Sequence, residues 1–132
     1  RQEIPKLFSS HLTTGEIWKN VDETLKSKGY ENCHQRYPFS VLGHSVHWIP
    51  FSSIPSPTLG FSMHSIGMLL SRGVFPALLT RDGNQKKTGF WAVEPHIGKP
   101  EFGAKFEEIL VVDEDGKAYW LDDQVPHVLE QA

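Results

Sequence analysis

The strongest constraint in this chain is the stretch Gly89 to Val112, GFWAVEPHIGKPEFGAKFEEILVV, where aromatic and β-branched residues gather in two runs around a Gly/Pro-bearing connection. The pattern predicts two strands, Phe90 to Ile97 and Ala104 to Val112, each with a carboxylate near its middle. Period-two geometry puts Phe90, Ala92, Glu94 and His96 on one face of the first strand and Trp91, Val93 and Ile97 on the other. In the second, Glu108 interrupts the apolar face of Ala104, Phe106, Leu110 and Val112, while Lys105, Glu107, Ile109 and Val111 lie opposite. Strands this apolar are expected to be buried, and a buried carboxylate must be paired, protonated or bound to a cation. Two glutamates on neighbouring strands point to a shared ligand. The same residues also admit a plainer reading, in which each Glu faces solvent and Lys105 neutralises Glu107.

A third partner lies upstream. FSVLGHSVHWIP sets His44 and His47 in an apolar, β-branched context behind Gly43, where an imidazole nitrogen could meet the carboxylates. One His with two Glu suits Zn, Mn, Fe or Co. Gly43 permits close backbone approach, which a site needs and an ordinary bulge needs equally.

Composition narrows the alternatives. With 132 residues, 39% of them hydrophobic, the chain can bury a sizeable core as one domain, residues 1–132. A net charge of -3 without long like-charged blocks gives no indication of a nucleic-acid or anionic-membrane surface, so the expected partner is a small molecule or peptide. A lone cysteine, Cys33, excludes an internal disulfide and a multi-cysteine zinc site. It fits a reducing, cytoplasmic setting and is expected to be a buried, inert thiol. No apolar run approaches the roughly 18 residues that span a bilayer, and the N-terminus lacks a signal-peptide pattern. Because the chain begins with Arg1, a processed product or a fragment is expected.

Elsewhere the reading is coarser. Residues 1–12 show no sustained period and are expected to be extended. Thr13-Thr14-Gly15-Glu16 is a capping-box pattern, and Ile17, Trp18, Val21 and Leu25 recur at helical spacing, so a helix over 14–28 stopping at Gly29 is predicted. Residues 50–60 carry Pro50, Pro55 and Pro57, which suits a flap beside a site better than a central strand. Between 62 and 79 a short helix and a strand pair remain equally open. Arg81-Asp82-Gly83-Asn84 is a turn signal, and Asp113-Glu114-Asp115-Gly116 predicts a hairpin into 118–121. The tail, with Val125-Pro126-His127, is expected to be an irregular cover.

Taken in order, Lys26-Ser27-Lys28-Gly29-Tyr30, Gly43-His44, Ala92-Val93-Glu94-Pro95-His96-Ile97 and Gly103-Ala104-Lys105-Phe106-Glu107-Glu108 with the following Ile109-Leu110-Val111-Val112 resemble the C-terminal part of the pita-bread metallopeptidases. That family holds the methionine aminopeptidases, Xaa-Pro aminopeptidases and prolidases, and the resemblance covers roughly residues 13–121. It implies an α+β fold, a curved antiparallel sheet backed by helices. In the complete enzyme it implies two divalent ions (Mn, Co, Zn or Fe) that activate a water to cleave a peptide bond near a free N-terminus. His44, Glu94 and Glu107 match metal ligands, Glu107 bridging the ions, and His47 or His96 would orient substrate or stabilise the oxyanion. The family's two aspartate ligands have no match and would by order precede Arg1, so the 132-residue chain alone is expected to be inactive. Ser45 replaces a frequent glycine, and the interval between His44 and Glu94 is longer than usual, making residues 50–79 an insertion. The implied partners are a peptide substrate and either the N-terminal half of the same protein or a second copy of this chain. The rival reading is a non-catalytic domain of the same shape that binds a peptide or protein.

Overall fold

In the computed structural model, residues 1–36, 38–47 and 75–129 are described. The capping box forms as the pattern requires: Thr13 Oγ1 accepts from the Glu16 amide at 3.2 Å and the Glu16 carboxylate accepts from the Thr13 amide at 2.8 Å. The helix they start, α2 (Thr14–Ser27), buries Ile17, Trp18 and Val21. Its end is a Schellman motif, with Gly29 at φ +75°, its amide on Lys26 O and the Tyr30 amide on Leu25 O. Residues 1–12, expected to be extended, instead contain α1 (Ile4–Ser9), with Pro5 in its first turn and Ile4 and Phe8 buried. The helix is too short to show a period. It is held by packing, because Phe8 meets the Trp91 ring at a centroid distance of 5.7 Å.

Among the described residues the strands are β1 (Glu31–Asn32), β2 (Gly43–Val46), β3 (Leu78–Leu79), β4 (Gly89–Val93), β5 (His96–Lys99), β6 (Phe102–Lys105), β7 (Glu108–Val112) and β8 (Ala118–Trp120). They make two antiparallel sheets of order β3-β2-β4-β7-β8 and β1-β5-β6. Two 3-10 turns, Cys33–Arg36 and Pro38–Ser40, link β1 toward β2, and a final turn of helix, α3 (Pro126–Leu129), stands where an irregular tail was expected. The architecture is mixed helix and antiparallel sheet. Among the described residues no helix is long and apolar enough to cross a membrane.

One face of the larger sheet, carrying Trp91, Val93, Leu110, Val112 and Ala118, packs with Ile4, Phe8, Ile17, Trp18 and Val21 of the two helices in a single buried cluster. Cross-strand partners share a face, so the opposite face carries the rows Val46-Phe90-Val111-Tyr119 and His44-Ala92-Ile109. The hairpin signal at 113–116 is realised, with the Asp113 amide on Lys117 O and Gly116 at φ +83°. The predicted turn at 81–84 closes through the Gly83 amide on Thr80 O, and Gly83 O receives the Gly15 amide at the start of α2.

Each of the two long strands expected from the sequence is broken in two, and both breaks fall at a glutamate. Pro95 has no amide to donate, so the ladder of β4 cannot run through it. The chain leaves the larger sheet at Glu94-Pro95, forms the β5–β6 hairpin in the smaller one, and re-enters at Phe106-Glu107. The Phe106 amide on Pro95 O ties the two corners together. The flap expected at 50–60, His64, and the undecided segment 62–79 apart from its last residues lie outside the described residues, as does Tyr37. Cys33, expected to be buried, is half-buried, its sulfur against Gly98.

Candidate functional site

The two corners bring Glu94 and Glu107 to one place. Between them stands Lys105, whose Nζ is 2.8 Å from Glu94 Oε2 and 3.3 Å from Glu107 Oε2. His44, on β2 beside the first corner, has its Nε2 3.4 Å from Glu94 Oε1. Glu94 is the most enclosed of the four, with the side chains of His44, Lys105 and Glu107 about half exposed. Glu94 and Glu107 thus share one ammonium, and His44 meets Glu94 alone. Lys105, expected from the sequence to neutralise Glu107, meets Glu94 more closely. The two carboxylates hold its pKa above the usual lysine value, Glu94 contributing most.

The orientation of His44 follows from its backbone. Its Nδ1 is 3.1 Å from the carbonyl oxygen of Ser45, and only an N–H can make that contact. The other nitrogen then presents a lone pair toward an oxygen of Glu94, two acceptors facing across 3.4 Å unless a proton or a cation joins them. In donor type the set of one imidazole and two carboxylates fits a divalent transition ion. Among the described residues, no three His, Cys, Asp or Glu side chains are compact enough to hold one as they stand.

Beneath Glu94 lies a contact the sequence could not reveal. His34, buried in its 3-10 turn, directs Nε2 at the Glu94 carbonyl and stacks on His96 with ring centroids 4.1 Å apart at 22°. His96 is thus a packed partner of His34 that also senses Lys105, Glu94 and Glu107. No local pattern links residues 34, 94 and 96. Burial lowers the pKa of both imidazoles, although the Glu94 carbonyl opposes the effect at His34. A base with a lowered folded-state pKa is neutral in the fold and takes up its proton on unfolding. Its contribution is complete above the unfolded value of 6.5 and is lost as pH falls below it. The melting temperature is accordingly expected to drop as pH falls below 6.5, with a shallower drop in His34→Gln. A wild-type curve level down to pH 5 would contradict the burial account.

His47 is set apart from the cluster. It lies just past the end of β2, with Nε2 2.9 Å from Ser45 Oγ, an oxygen that accepts the Ala77 amide at 2.8 Å. Glu108 lies on the core side of β7, where Arg1 Nε meets it at 2.6 Å. Beside that ion pair is a cavity of about 630 Å³ walled by Ile4, Val93, Pro95, Phe106 and Trp120, behind the two corners rather than at the cluster. No protein-family model, curated protein or solved structure matches this chain.

Proposed function

We propose that this chain is the C-terminal part of a metal-dependent peptidase of the pita-bread kind, related in action to Xaa-Pro aminopeptidases and prolidases. His44, Glu94 and Glu107 would hold its divalent ions, Mn, Co, Zn or Fe. The observation that carries the reading is the orientation of His44: Nδ1–H is spent on the Ser45 carbonyl, so Nε2 is left as a ligand aimed beside the Glu94 carboxylate. A carbonyl holding the far nitrogen of a histidine is the usual outer support of a metal ligand. The second support is that Glu94 and Glu107 already converge on a cation, the Lys105 ammonium.

A bound divalent ion would supply an activated water and a polarised carbonyl. The chain's own residues would hold the scene. Glu94 is backed through its carbonyl by His34, and its amide is fixed by Leu42 O at 2.9 Å, so its carboxylate is held at the corner. Of the two histidines, His96, stacked on His34 one residue beyond the first corner, would orient a peptide, because His47 turns to Ser45. Two aspartate ligands of the resembled family find no counterpart here, so the property expected of these 132 residues is metal binding rather than turnover.

The test is calorimetric titration with MnCl₂, supported by the visible spectrum of the Co²⁺ form. The wild type is expected to bind, and Glu94→Gln to weaken binding by more than the roughly 10- to 100-fold that changes around a metal ligand cost. Glu101→Gln, in the exposed β5–β6 turn, is expected to change nothing. A second reading has its own support: Lys105 neutralises both carboxylates without any metal, as a non-catalytic domain that binds a peptide or protein would require. It predicts no Mn²⁺ binding in the wild type.

A further inference from the structure

We propose that the outer edge of β6 pairs antiparallel with β6 of a second copy of this chain, centred on Gly103, so that the two small sheets join across a twofold axis. The pairing involves no metal and goes beyond the metal-centre reading. β6 stands at the end of the order β1-β5-β6, and among the described residues no strand pairs with its far side. Its open backbone groups can be named. The Phe106 amide donates to Pro95 O, and the antiparallel alternation that follows turns the backbone groups of Ala104 and Phe102 toward β5 as well. Gly103 and Lys105 thus turn theirs outward. Both residues are exposed, and Phe102 and Phe106, on the other face of the strand, are 52% and 48% exposed. Open amides beside two bared rings make a template for another strand.

β6 is complementary to itself in one register. Centred on Gly103, antiparallel pairing sets Glu101, in the β5–β6 turn, against Lys105 of the second copy, and Phe102 against its Ala104. A carboxylate then meets an ammonium, and a ring covers a methyl group. Among the described residues Glu101 has no ion pair within its own chain. Lys105 has a donor to give, because an ammonium carries three N–H groups, Glu94 and Glu107 take one each, and the side chain is 47% exposed. Moving the centre by one residue toward the corner sets Glu101 against Glu107, and moving it by two sets Lys105 against Lys105. Like charges disfavour both. A lysine on an edge strand ordinarily repels partners, and here it admits the register that brings it an acid. The opposite edge strand, β1, has two residues, so association closes at the pair.

The test is sedimentation velocity of the whole 132-residue chain over a concentration series. One strand edge is a small interface, so a dimer with a dissociation constant of roughly 0.1 mM is expected. Glu101→Lys, which sets like charges opposite one another at both ends of the pair, is expected to weaken it by about tenfold or more. Phe102→Ser is expected to weaken it by about tenfold, with melting curves showing both variants folded because both side chains are exposed. In the unmodified chain, amide exchange at Gly103 and Lys105 is expected to slow as concentration rises, while that of the exposed Glu114 stays constant. A chain that stays monomeric up to about 1 mM overturns the inference. So does a dimer that Glu101→Lys leaves intact and that does not slow exchange at Gly103 and Lys105, because another surface then holds it. Either failure leaves the metal-centre reading untouched.

Discussion

Replacing Trp91 by alanine is expected to destabilise the protein by about 3–5 kcal/mol, a large share of the roughly 5–15 kcal/mol that holds a domain of this size together. The indole is 1% exposed at the centre of β4, the middle strand of the larger sheet. Its ring packs on Phe8 of α1, and its Nε1–H donates to Lys87 O at 2.7 Å. Truncation removes the apolar contact between the sheet and α1 and leaves the Lys87 carbonyl without its donor. Since α1 has six residues and no side-chain cap, it is expected to loosen with the ring. Urea denaturation with an unchanged slope measures the loss. Trp91→Phe, which keeps a ring and loses only the N–H and part of the volume, is expected to cost about 1–2 kcal/mol. A Trp91→Ala cost below about 1 kcal/mol would mean that this cluster does not anchor the fold.

Gly43→Ala is expected to cost about 3 kcal/mol, at the upper end for overpacking, and to disturb His44. A methyl group at residue 43 would stand 2.3 Å from the carbonyl oxygen of Ala92 and 3.2 Å from the Cα of Val93. Those atoms belong to the backbone of β4 and cannot rotate away, so β2 must move off its neighbour. Four cross-strand partners join β2 to β4, and His44 is one residue from the clash. Amide hydrogen exchange is expected to rise along residues 43–46 ahead of residues 108–112. Under the metal-centre reading, Mn²⁺ affinity is expected to fall in the same variant. A Gly43→Ala protein with wild-type exchange on β2 would show that the strand pair has slack there.

What could be read without coordinates was whatever local chemistry dictates. The Thr13/Glu16 box, the Ile17-Trp18-Val21 stripe and Gly29 set both ends of α2 and its buried face, because caps and helical periods act within four residues. The turn at Asp113 to Gly116 and the apolar, β-branched run from Ile109 to Val112 fixed the last hairpin for the same reason. The break at Glu94-Pro95 was also legible, since a proline cannot donate to a ladder; the continuous strand from Phe90 to Ile97 overlooked it. Other features had no local signal. Residues 1–12 lack a period because α1 is shorter than two turns and depends on Phe8 finding Trp91 across the fold. Lys105 sits two residues from Glu107 in sequence, yet Glu94 holds it more closely, and only the pairing of β5 with β6 makes that possible. His34 reaches the Glu94 carbonyl across 60 residues. The sequence by itself determined which residues carry charge and which segments repeat at helical or strand period. Only the tertiary structure decided which charges meet, because that depends on where two bent strands turn their corners.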